Sequence, residues 1–153
     1  MNISDILQLE SIKTDSEVNN KNSLIVEMMQ LADKSGQVEN FEKAEEEVFK
    51  REEVMSTGIG KGIALPHAKT NAVKDIVGAL NILQTPLDYE SLDGEPVNIV
   101  FLLLGKENNV SMHLKILSKI SRFLNNENIK RKLLNSKDSQ EIKSIIKSFE
   151  LEN

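Results

Sequence analysis

The chain has 153 residues, 39% of them hydrophobic and 28% charged, which suits a single globular domain with one buried core and gives no sign of disorder. Its 19 lysines and arginines against 24 aspartates and glutamates leave a formal net charge of −5, the wrong sign overall for nonspecific nucleic-acid binding. The absence of cysteine excludes disulfides, thiolate catalysis and cysteine-ligated zinc. No basic segment followed by an apolar stretch opens the sequence, and no run of about eighteen apolar residues occurs, so a cytoplasmic protein with one domain over 1–153 is expected.

In chain order, Ser4 to Leu9 is read as a single turn. Leu24, Met28 and Leu31 then recur at helical spacing, with Asn20 as N-cap and Gly36 as the stop. Asn40 caps a second helix that lines Phe41, Ala44 and Val48 on one face, and its glutamates precede Lys50 and Arg51 as the helix dipole favours. The end of this helix delivers Arg51 toward the glycine-bearing run Ser56-Thr57-Gly58-Ile59-Gly60-Lys61-Gly62. Ile63-Ala64-Leu65 reads as a short buried strand whose ladder Pro66 ends, leaving His67 at a strand end. Val77–Leu83 and Val97–Leu104 are continuous apolar runs bounded by turn residues, the pattern of core strands. From Ser111, taken as an N-cap, a helix is predicted with Leu114, Leu117, Ile120, Ser121 and Leu124 inward and His113 in its first turn. Asn128 opens a short helix through Leu134, and Asp138 with Glu141 starts the last one, which carries Ile142, Ile145, Ile146 and Phe149. The alternation of periods points to α/β or α+β.

Several chemistries fail on spacing. The string from Gly58 to Ile63 begins like a dinucleotide fingerprint, but Leu65-Pro66 stands where the helix should begin. Neither a P-loop nor a His-Glu-x-x-His helix occurs, and no Gly-x-Ser-x-Gly elbow presents a serine for a triad. A metal site built on both histidines stays as a weaker alternative. The remaining candidate is His67 as nucleophile: a neutral imidazole attacks phosphorus through one nitrogen when a hydrogen bond at the other fixes its tautomer. Phosphoryl transfer asks the protein mainly for positioning and for donors aimed at three equatorial oxygens. Arg51, the Thr57 hydroxyl, the amides of Gly58 and Gly60, and Lys69 are the candidates for that role.

Arg51-Glu52, the string from Ser56 to Lys69 with Ala64-Leu65-Pro66-His67 at its centre, Ser91-Leu92-Asp93-Gly94-Glu95-Pro96-Val97, and His113-Leu114-Lys115-Ile116-Leu117 together resemble the type-2 enzyme IIA of the bacterial sugar phosphotransferase system, the fructose/mannitol family. The segment Gly105-Lys106-Glu107-Asn108-Asn109 departs from it, replacing a proline-containing turn. The resemblance implies an α/β fold, a mixed β-sheet flanked by helices on both faces. It further implies that His67 accepts a phosphoryl group from phospho-HPr and passes it to a IIB component, serving the membrane IIC indirectly. Arg51 then stabilises the phosphoryl group, and His113 hydrogen-bonds or orients the phosphohistidine. No cofactor, metal or nucleic acid is called for, and the oligomeric state is left open. The strings around Ala68 and Leu92 look closer to the fructose-like transport branch. A nitrogen-related regulatory IIA, acting by phosphorylation-dependent protein binding, is the alternative.

Overall fold

Two strands buried on both faces over most of their length organise the chain. In the computed structural model, which describes residues 1–152, β5 (Val77–Leu87) and β6 (Val97–Lys106) pair antiparallel. Alternate residues of β6 enter separate cores: Val100, Leu102 and Leu104 on one side of the sheet, Ile99, Phe101 and Leu103 on the other. Both faces are covered over most of their length, which is why the sequence shows near-continuous apolar runs, interrupted by Asn81 and Asn98.

The sheet has six strands. β1 (Ile12–Ser16) runs parallel to β5, and β3 (Ile63–Ala64) and β4 (His67–Thr70) run parallel to β6. β2 (Gly58–Gly60) folds back antiparallel on β3 through Lys61-Gly62, whose positive φ values of 57° and 83° make the tight turn that matches strand twist. The sheet is therefore mixed. α2 (Lys21–Asp33) and α3 (Phe41–Val54) cover one face; α1 (Ile3–Ile6), α4 (Val110–Leu124), α5 (Glu127–Leu134) and α6 (Ser139–Glu152) cover the other. This is the expected α/β architecture.

The helix caps expected at Asn20 and Asn40 accept hydrogen bonds from the amides of Ser23 and Lys43, and Asp138 accepts one from Glu141. Several readings are corrected. β1 was not expected at all. Asn109, not Ser111, caps α4, accepting from the Met112 amide, and Asn126 caps α5 ahead of Asn128. On α4 the inward face is His113, Ile116, Ile120, Phe123 and Leu124, while Leu114 is 61% exposed. As expected, Pro66 interrupts the ladder, with β3 ending at Ala64 and β4 starting at His67, but Ile63 pairs with Ile99 and His67 with Leu103, the same register on both sides of Leu65-Pro66. The proline forfeits only its donor, and its carbonyl still accepts from the Leu103 amide at 3.0 Å. His67 is thus the first residue of β4. It shares a strand face with Ile63 and Leu65, whose core is on the α4 side.

Candidate functional site

The continued register carries His67 to a cleft of about 400 Å³ between the end of α3, β4 and the start of α4. Glu47, Lys50 and Arg51 line it from α3, Lys69 from β4, and His113, Leu114 and Leu117 from α4. A groove of about 450 Å³ between α5 and α6 holds neither histidine.

The His67 ring is fixed by its own strand. Nδ1 lies 2.9 Å from the Leu65 carbonyl oxygen, and a carbonyl only accepts, so Nδ1 carries the proton and Nε2 keeps the lone pair. Burial holds this imidazole below its ordinary value; the Leu65 carbonyl and the Glu52 charge oppose that effect, and Arg51 and Lys69 add to it. The ring is therefore neutral at pH 7.

His113 faces it from α4, with ring centroids 5.7 Å apart and planes tilted by 47°. It is only 3% exposed, and neither ring nitrogen has a partner within the fold. Gly105 makes the room: a Cβ there would lie 2.2 Å from His113 Nδ1. Burial first, then the neighbouring His67 and Lys69, push the imidazole down to about 4. A neutral His113 keeps one N–H to offer into the cleft.

Arg51 lies in the last turn of α3, where Nη1 donates to the Met55 carbonyl at 2.9 Å. A guanidinium has five donors, so this bond leaves the others for oxygens of a ligand. The structure thus brings together Arg51, His67 and His113, with Lys69 beside them. Thr57, Gly58 and Gly60 are placed differently. The Thr57 amide and hydroxyl both donate to the Glu52 carboxylate, at 2.7 and 2.5 Å. A Cβ on Gly58 would lie 2.3 Å from Ser91 Oγ, and Gly60, with φ of +100°, stands against Asp93. None of the three is among the residues lining the cleft.

A buried polar cluster adjoins the site without having been anticipated. Besides Thr57, Glu52 takes an ion pair from Lys21 at 3.0 Å and a hydrogen bond from the Tyr89 hydroxyl at 3.1 Å. Burial alone would raise the Glu52 carboxyl, but the Thr57 bonds and the Lys21 ammonium hold it below the usual carboxylate range. Burial and the Glu52 charge push the Tyr89 phenol upward. The sequence did carry one signal: Glu52 continues the stripe of Ala44 and Val48 at four-residue spacing, an acid on a buried helix face. Among the described residues, no group of three or more histidine, cysteine, aspartate or glutamate side chains is gathered to hold a metal ion.

The family model for the phosphoenolpyruvate-dependent sugar phosphotransferase system, EIIA 2, matches residues 5–149. The chain belongs to this family. Among the EIIA relatives, the PTS system fructose-specific EIIABC component of Bacillus subtilis is 38% identical over 146 residues, which are 95% of this chain and 23% of that protein. A nitrogen regulatory protein of Bradyrhizobium diazoefficiens is 37% identical over 147 residues, 95% of each. The crystal structure of nitrogen regulatory protein IIA-Ntr from Neisseria meningitidis superimposes with a TM-score of 0.87 at 33% identity, covering 94% of this chain and 98% of that one. Among the described residues of this EIIA chain, no helix is long and apolar enough to cross a membrane.

Proposed function

We propose that this EIIA chain is a phosphoryl carrier that accepts phosphate from phospho-HPr on Nε2 of His67 and passes it to a IIB component for uptake of a fructose-like sugar. The observation that carries the reading is the bond from His67 Nδ1 to the Leu65 carbonyl, which leaves Nε2 as the nucleophilic nitrogen of a neutral ring. Nε2 attacks phosphorus in line; the new N–P bond forms as the donor's N–P bond breaks, and that electron pair returns to the donor nitrogen. Arg51 and the N–H of neutral His113 then meet the equatorial oxygens, whose charge Lys69 also offsets. Transfer to IIB reverses the roles, with His67 as leaving group.

The experiment is incubation with phosphoenolpyruvate, enzyme I and HPr, followed by intact mass measurement and acid treatment. One acid-labile phosphoryl group is expected on the wild type and none on His67→Ala. An acid-stable adduct, or one that survives the substitution, refutes the reading. Identities of 37% and 33% to nitrogen regulatory proteins favour a second reading, phosphorylation-dependent binding to regulated proteins. Rapid donation to a fructose-type IIB supports transport; donation to no sugar IIB supports regulation.

A further inference from the structure

A chain of hydrogen bonds leads from the buried cluster to the nucleophile. Glu52 accepts from the Thr57 amide; the Thr57 carbonyl accepts from the Leu65 amide at 2.9 Å; and the Leu65 carbonyl accepts from His67 Nδ1. Three bonds therefore separate the Glu52 carboxylate from the imidazole. The carboxylate is itself anchored from three directions, by Lys21 at the start of α2, by Thr57 just ahead of β2, and by Tyr89 in the connection between β5 and β6. Lys21 also packs over the Tyr89 ring, its ammonium 4.7 Å from the centroid. Buried carboxylates persist only when fully paired, and here every partner is a donor. The residue before Glu52 is Arg51, so whatever fixes this turn of α3 also fixes the guanidinium's place at the cleft.

We infer that Glu52 is a positioning residue for the site: clamped by Lys21, Thr57 and Tyr89, it holds the Leu65 carbonyl that sets the His67 tautomer and the helix turn that presents Arg51. This rests on the proposed role of His67 as phosphoryl acceptor. Glu52 touches neither the cleft nor the phosphoryl group; it acts through the backbone and through its charge. The other charged or titratable groups facing His67 are Glu47, Lys50 and Arg51 from α3, Lys69 from β4 and His113 from α4, so Glu52 adds a second carboxylate to a mainly cationic surrounding.

Glu52→Gln keeps the shape but replaces one acceptor atom with a donor, facing groups that all donate. Imidazole nitrogen NMR, read against pH on the unphosphorylated protein, is the deciding measurement. In the wild type His67 is expected as the Nδ1–H tautomer at neutral pH. Glu52→Gln should mix the tautomers and lower the pH at which His67 titrates, and phosphoryl uptake from HPr should slow at least about tenfold. Lys21→Gln, which leaves the Thr57 link in place and unmasks the carboxylate, should move the titration of His67 upward. Shifts of opposite sign do not follow from a shared loosening of the fold. A folded Glu52→Gln protein with the wild-type tautomer and titration overturns the inference; if that variant does not fold, an unmoved His67 titration in Lys21→Gln overturns it instead. Wild-type protein that takes up no phosphate refutes the phosphoryl-carrier reading and, with it, the uptake arm, while the tautomer and titration still judge the placement of Glu52.

Discussion

Acid should destabilise this protein through His113, and the size of the effect follows from its surroundings. An unfolded histidine takes up its proton near 6.5, whereas the folded His113, buried under α4 beside a second imidazole, resists until about 4. Between those values the unfolded chain binds a proton that the native state does not, so stability is fully present above about 6.5 and falls with pH until about 4, where the loss levels off. Each tenfold difference in proton affinity is worth about 1.4 kcal/mol, which puts the full loss at about 3 kcal/mol, or about 2 kcal/mol once solvent relaxation around the charged ring is allowed for. For a domain of this length that corresponds to about 4–12 °C in melting temperature. The assay is urea unfolding of wild type and His113→Gln from pH 7 to pH 4. His67 is lowered in the same direction and remains in both proteins, so the difference between them isolates His113. A stability difference that stays constant over this range, or a direct titration of His113 near 6.5, refutes the reasoning.

Two further substitutions probe the cleft and the core. Arg51→Ala should slow phosphoryl uptake by about a hundredfold or more in rapid-quench measurements, because an oriented donor to the developing charge is lost. Its melting temperature should stay near wild type, since the side chain makes a single bond to the Met55 carbonyl. Gly78→Ala introduces a Cβ 2.8 Å from the Phe101 ring, near the start of β5. Overpacking of this kind should cost about 1–3 kcal/mol in denaturant unfolding. An unchanged midpoint would mean that the fully buried ring has room to move.

What the sequence makes legible follows from which physical signal each residue carries. The hairpin of β5 and β6 is visible because both faces are buried over most of their length and the apolar runs are near-continuous. β1 is not, because Ile12–Ser16 is a sheet-edge strand of mixed polarity with Asp15 at a positive φ of 57°. On α4 the expected Ile120 and Leu124 are buried, but the first turn is shifted by one residue, because hydrophobicity alone favours a leucine over a histidine as the inward side chain. His113 in fact takes the buried position and Leu114 the rim. Proline does mark a break between β3 and β4, but its carbonyl remains available to a neighbour and the ladder resumes one residue later in the same register, which the sequence does not show. At the site, Arg51, His67 and His113 were each named from local strings, and the fold brings them to one cleft. The glycines at 58 and 60 were read as ligand-facing because glycine signals close approach without saying to what. Here the approach is to Ser91 and Asp93. The Glu52 cluster joins residues from α2, α3 and the β5–β6 connection, and pairings at such separations leave no local periodicity to read.

The unbroken register through Leu65-Pro66 has a consequence for how this protein can change. Side chains on a strand alternate strictly between faces, so the location of the imidazole depends on an odd or even count as much as on residue identity. One residue inserted or deleted between Ala64 and His67 would send the ring through the sheet into the packing of α2 and α3, where Ala64 and Ala68 now lie. Two inserted residues would restore its side but displace it by about 7 Å along the strand, past Arg51 and His113. This stretch of backbone therefore tolerates substitution far better than any change of length.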